Sequence, residues 1–236
     1  MISRLITILA WLTAGHALLF GLFWLLLSTP ESNIAMLAAS AASATLLTLA
    51  FGWVEAAGLL AWRADVAPWK VAGRAFRRAP GVWLGAALFV AAWYLVGYAG
   101  AWWSGHQGET DAWLMLHFGK ADTTILHRGV RDLLIVLQFL GLSLALSLAA
   151  AVVGDGYRAV ASGGWLRHGL SLRQLLLLAA VLFVFVWLPW QGVDWRPSWL
   201  KPNWQETVFA TAKLGLIYLL ANLGWAQALG VAARRR

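Results

Sequence analysis

Six long apolar stretches constrain this chain more than any other feature. They run approximately over residues 5–27, 34–62, 82–103, 133–153, 175–190 and 208–231. A helix needs about 20 apolar residues to cross the hydrocarbon core of a bilayer, whereas a transmembrane β-strand needs about 10. A chain in hydrocarbon must satisfy its backbone polar groups internally, and runs of this length do so as helices. The stretches therefore predict an all-α, polytopic membrane protein: one domain of six transmembrane helices over residues 1–236. The composition agrees. Hydrophobic residues make up 61% of the chain and charged residues 12%, about half of what a water-facing surface carries. This excludes a soluble globular domain and also a disordered one, which needs high charge and low hydrophobicity.

The fifth stretch is the shortest, and its helix is expected to begin nearer Leu170. The six prolines (Pro30, Pro68, Pro80, Pro189, Pro197 and Pro202) are read as lying in loops or at span ends. Proline is tolerated there and costly inside a helix, so mostly unbroken spans are expected. Such spans disfavour the interrupted helices that build ion sites in many transporters. The first stretch reads as a retained helix. It is longer than a signal-peptide core, and Ser28-Thr29-Pro30 lacks the small-x-small cleavage pattern.

Six spans put both termini on one side. That side holds Arg4, Arg63, Lys70, Arg74, Arg77, Arg78, Arg158, Arg167, Arg173, Arg234, Arg235 and Arg236, twelve basic residues against five on the other. Lys and Arg concentrate in cytoplasmic loops, so both termini are expected in the cytoplasm and the chain in a bacterial inner membrane. The formal net charge of +8 then reflects orientation and attraction to anionic lipid heads, and nucleic acid is not an expected partner.

Residues 69–78 (WKVAGRAFRR) read as a cytoplasmic elbow helix that Pro80 and Gly81 end before the third span. Arg74, Arg77 and Arg78 share a face at i, i+3, i+4 spacing and are candidate contacts for anionic lipid heads. A related arrangement recurs about 95 residues later: basic residues at Arg167-His168 precede the fifth span, and GAALFVAAW at 85–93 matches AAVLFVFVW at 179–187 at five of nine positions. This is compatible with a tandem helical-hairpin repeat. The pattern resembles several bacterial six-span membrane families, including the membrane region fused to some glycerophosphodiester phosphodiesterases. The resemblance covers the elbow and the helix after it, and implies no specific activity. Small residues at Ala35, Ala38, Ala39, Ala42 and Ser43 would let helix backbones approach closely. The second span is therefore expected at the centre of the bundle, or at a face between copies.

Ionisable residues inside a membrane are default pointers to function. His16 and Asn222 lie at similar depths, each 12 residues from a basic end at Arg4 and Arg234, roughly 18 Å in. A His16–Asn222 hydrogen bond is expected. Glu55 lies roughly 12 Å from Arg63 by the same rise. It is read as a proton, cation or substrate site, or else as a structural partner of an elbow arginine or a neighbouring helix. In either case it should face protein. Lys213 lies near the opposite edge and is expected to snorkel or to pair with Asp194 or Glu206.

On the outer side His106, His117 and His127 are spaced 11 and 10 apart, which matches no compact metal motif. Trp102-Trp103-Ser104 lacks the Trp-Trp-Asp core of haem-handling membrane proteins. Cysteine is absent, and no phosphate-binding, nucleophile-elbow or zinc-protease motif occurs. No cofactor or catalytic residue is assigned. The last outer loop concentrates Trp187, Trp190, Trp195, Trp199 and Trp204 with three prolines. Such indoles seat at a membrane interface or against a partner or lipid. The sequence thus points to a non-catalytic membrane subunit that scaffolds or stabilises a larger complex through other subunits or self-association. The alternative is a small permease or lipid-handling protein using Glu55 and His16.

Overall fold

A computed structural model describes residues 2–30, 32–119, 123–198 and 204–234. Every regular element among them is helical, and six helices are long and apolar enough to cross a membrane. They are α1 (Ile2–Ser28), α2 (Ile34–Ala64), α3 (Pro68–Phe118), α4 (Thr123–Asp155), α7 (Leu172–Gln191) and α8 (Trp204–Ala233). Two short helices, α5 (Arg158–Ala161) and α6 (Gly164–Gly169), connect α4 to α7.

Local chemistry sets the ends. Asn33 caps α2 by accepting the Met36 N–H at 3.0 Å, satisfying one of the four donors a helix start leaves unpaired. The same helix stops at Asp65, whose left-handed backbone (φ 58°) suits a short polar side chain. Pro68 opens α3, where its missing N–H costs nothing.

One expectation about proline fails: Pro80 lies inside α3, which runs unbroken from the basic elbow into the span. Pro189 lies within the last turn of α7, at the end of its span. The residues on either side of Pro80, Ala79 and Gly81, are buried, and Gly81 packs closely against Val152 of α4, so tertiary packing outweighs the local cost of proline. At 51 residues α3 is about 76 Å long, far more than the roughly 30 Å of hydrocarbon. It extends well past the expected end of the third span. His106, Glu109, Asp111 and His117 are therefore helical, not in a loop. The helix pairs with α4 as a long hairpin, joined outside the span by His127 and Asp111 at 3.0 Å. The fifth helix is not uniform either: α7 contains a π-helical segment, Phe183–Trp187.

The buried core lies toward the end that carries the basic residues. It includes Leu12, Val54, Leu59, Trp62, Ala75, Val82, Ala149, Val153 and Leu229. The second half of α2, from Gly52 to Trp62, is its most continuously buried part. The small-residue first half is not central: between Ile34 and Ala44 only Ser40 and Ser43 are buried. Lipid supplies no hydrophobic drive, so close packing and interhelical hydrogen bonds hold such bundles. Here indoles do much of this. Trp11 donates to the Val54 carbonyl at 3.1 Å, Trp53 to Ala72 at 2.8 Å and Trp62 to Ala226 at 2.7 Å, linking α2 to α1, α3 and α8. At the basic end Arg4 pairs with Asp65 and Arg63 with Asp155, while Arg4 and Arg234 both lie over the Trp62 ring.

The helices α3 and α4 approach closely at Gly85. A Cβ there would sit 2.6 Å from the Ala145 carbonyl oxygen and 2.8 Å from the Ala149 Cβ. Gly85→Val should lower the melting temperature of the detergent-solubilised protein, at a cost of about 1–3 kcal/mol for overpacking. Gly97→Val, where nothing lies within 4 Å of the added Cβ, should change it little. Equal melting of both variants would remove this contact from the account.

Candidate functional site: a buried carboxyl joined to three helices

Glu55 sits on the buried half of α2 and is 2% exposed. Both of its oxygens are engaged. Oε1 lies 2.8 Å from His16 Nε2 on α1, and Oε2 accepts the Trp225 indole N–H at 2.8 Å from α8. The other His16 nitrogen, Nδ1, faces Asn222 Oδ1, and the Asn222 amide nitrogen donates to the Tyr218 carbonyl at 2.9 Å. The Tyr218 hydroxyl in turn donates to the Thr13 carbonyl at 2.8 Å. The network therefore runs from α1 through α2 to α8 and back to α1.

The hydrogen-bond inventory fixes where protons sit. Asn222 uses its NH2 on Tyr218, so its Oδ1 can only accept, and His16 Nδ1 must carry a proton. One further proton lies between His16 Nε2 and Glu55 Oε1. On the histidine it makes an ion pair; on the carboxyl it makes a neutral one. Either way every polar atom of the pair has a partner, as a buried polar group requires. Glu55 thus faces protein, and its partners are neighbouring helices, not an elbow arginine.

Two features position the network. Asn222 and Trp225 are three residues apart, so they share one face of α8. Between them Gly224 admits the π segment of α7: a Cβ there would meet the Phe185 Cβ at 2.6 Å. Single π turns often occur at functional positions, and this one presses on the stretch of α8 that holds both side chains.

Beside the network is a cavity of about 350 Å³ between α2, α3, α4 and α8. Glu55 and Trp225 form part of its wall, and Phe51, Phe89, Leu142, Leu146 and small residues of α3 and α4 form the rest. The Glu55 oxygens are turned to His16 and Trp225, so the surface offered to an occupant is almost wholly apolar.

The remaining candidates lie apart from this centre. Lys213 donates to the Val193 and Trp195 carbonyls in the segment that follows α7, the latter at 2.9 Å, and lies over Phe209; Glu206 pairs with Arg196 at 3.0 Å. Of the two outcomes expected for Lys213, snorkelling or a carboxylate partner, the second is not seen: its partners are backbone carbonyls. Trp187, Trp190, Trp195 and Trp204 are all exposed, with Trp187 stacked on Phe183 and Trp195 against Phe209. Trp199 lies outside the described residues. Arg74 and Arg77 are exposed on the α3 elbow, and Arg78 is half-buried against the turn at Gly156. His106 and His117 turn back to carbonyls of their own helix, and among the described residues no three metal-binding side chains converge.

Sequence reasoning brought His16 and Asn222 together but missed Trp225 and the cavity. The i, i+3 spacing of Asn222 and Trp225 was the available signal. No family model matches the chain, and no curated protein or solved structure is significantly similar to it.

Removing the carboxyl by Glu55→Ala leaves His16 Nε2 and the Trp225 indole N–H unpaired, at about 1–3 kcal/mol for each buried group. A double-mutant cycle of His16→Ala and Glu55→Ala, read by chemical denaturation in micelles, should show a coupling energy of about 0.5–3 kcal/mol. Strict additivity would contradict the contact.

Proposed function

We propose that this is a multi-pass protein of a bacterial inner membrane that holds the hydrocarbon chain of a lipid inside its helix bundle and carries out no covalent chemistry. One observation carries the reading: the apolar cavity of about 350 Å³ beside the Glu55 network. Its size falls within the range of small-molecule sites, and its lining suits an acyl or isoprenoid chain, not an ion or a polar solute. The network supports the reading by fixing the cavity wall. It ties α2 to α8 at the two residues, Glu55 and Trp225, that the occupant would touch. A proton or cation path has less support, since the carboxyl is enclosed by its own partners.

The proposed orientation, both termini cytoplasmic, rests on the charge asymmetry and on the convergence of Arg4, Arg63 and Arg234 at one end. Reaction of a C-terminal tag with a membrane-impermeant reagent in intact spheroplasts would sink it.

A second reading, a scaffolding or stabilising subunit of a larger membrane complex, draws on the exposed surface. Most of the small-residue half of α2 is exposed, and so are the tryptophans described around the end of α7. Tryptophan is enriched where partners bind. Replacing Trp195 and Trp204 together by Ala should then reduce partner recovery in a pull-down without reducing membrane insertion.

Native mass spectrometry of the mildly extracted protein separates the two. The lipid-holding reading predicts a retained lipid that survives removal of bulk detergent and is lost in Ala86→Phe, which fills the cavity. Retention unchanged in that variant, with its melting temperature preserved, contradicts it. Stoichiometric protein partners without retained lipid would favour the scaffold.

A further inference from the structure

A second cleft, sharing no lining residue with the intramembrane cavity, opens at the basic end where α6, the start of α7 and the end of α8 meet. It encloses about 490 Å³ and is lined by Arg167, His168, Ser171, Arg173, Gln174 and Arg234, among others. Three arginines thus line one concavity. Repulsion among them calls for an anion, and none is supplied by the carboxylates of the described residues. Asp65 and Asp155, the acidic residues of this end, are held by Arg4 and Arg63. Among the described residues no carboxylate pairs with Arg167, Arg173 or Arg234. The first turn of α7 adds to the attraction. Ser171 caps it, and the positive end of a helix favours a negative charge beside it.

The floor of the cleft provides an independent observation. Gln174 is 3% exposed, and its amide nitrogen is committed to Ser147 Oγ at 2.6 Å and Ser143 Oγ at 3.2 Å. That fixes the amide so that its carbonyl oxygen, Oε1, is buried with no hydrogen-bond partner. Buried polar atoms in native proteins are nearly always paired, and an exception calls for an explanation. Oε1 can only accept. An occupant that satisfies both features carries a phosphate for the arginines and a hydroxyl for the glutamine. Arginine is suited to the first task because its planar fork binds phosphate oxygens in pairs.

We propose that the cleft formed by Arg167, Arg173, Arg234 and Gln174 binds a phosphate ester that carries a free hydroxyl, such as the glycerophosphate head of an anionic phospholipid. The site is distinct from the general basic surface of the elbow. It is concave, contributed by three separate helical segments and the chain end, and lined in part by the buried Gln174.

The test uses the full chain in neutral detergent micelles and follows the melting temperature as ligand is added. Phosphatidylglycerol represents the lipid source, and glycerol 3-phosphate represents a soluble ester with the same chemistry. Wild-type protein should show a saturable rise. In Arg167→Ala/Arg173→Ala the midpoint should move to at least about tenfold higher ligand, since hydrogen bonds to charged groups are individually strong. Both arginines are exposed, so the ligand-free melting temperature should be unaffected. Arg74→Ala/Arg77→Ala, which removes as much charge from the elbow, should leave the midpoint in place. A rise with phosphatidylglycerol alone assigns the site to a lipid head. A rise with glycerol 3-phosphate as well assigns it to the phosphate ester from either source. Equal midpoints for wild type and Arg167→Ala/Arg173→Ala, or an equal shift in the elbow variant, overturn the proposal.

Discussion

The arrangement depends on the need to satisfy a carboxyl group in the middle of an apolar bundle. A lone carboxylate in hydrocarbon is expensive, and the cost falls only when it is paired and hydrogen-bonded. Glu55 meets this with two hydrogen-bond partners from two other helices, His16 of α1 and Trp225 of α8. His16 is itself fixed by Asn222, whose amide is held by the Tyr218 carbonyl. The first, second and last membrane helices are therefore locked in relative rotation and depth by polar contacts. Dispersion between apolar side chains would specify them far less sharply, because lipid offers similar contacts.

The rest of the core follows from that lock. With α2 and α8 registered at Glu55 and Trp225, Trp62, two turns beyond Glu55 on α2, reaches the carbonyl of Ala226, the residue after Trp225. Arg4 and Arg234 then stack over the same indole at the basic end. The α3–α4 hairpin packs through the close approach at Gly85, and the apolar cavity is the space that remains between this hairpin and the α2–α8 pair. On this view the cavity is a consequence of how the network spaces the helices, and it lies beside the buried carboxyl of Glu55.

Much of this was legible in the residues, for identifiable reasons. Long apolar runs report membrane helices because a bilayer leaves the backbone few choices, and the six helices are where the runs lie. Equal distances from basic ends placed His16 and Asn222 at one depth, and they meet. What was not legible depended on tertiary context. Pro80 looked like a helix stop, yet α3 passes through it, because proline's local cost is outweighed where flanking residues must stay helical. The Ala- and Ser-rich start of α2 looked central, yet the core uses the other half of that helix. Small residues permit close packing without saying which partner arrives. The partnership of Glu55 with Trp225 spans 170 residues, and no local pattern encodes it.

The most direct test of the central claim is a solid-state NMR measurement on the isotope-labelled protein in lipid bilayers, with the His16 signals assigned by comparison with His16→Gln. The account predicts that Nδ1 of His16 carries a proton, that its Nε2 lies within hydrogen-bonding distance of the Glu55 carboxyl, and that the Asn222 side chain is on the opposite side of the ring. An unprotonated Nδ1, or a His16–Glu55 separation beyond the reach of a hydrogen bond, would contradict it.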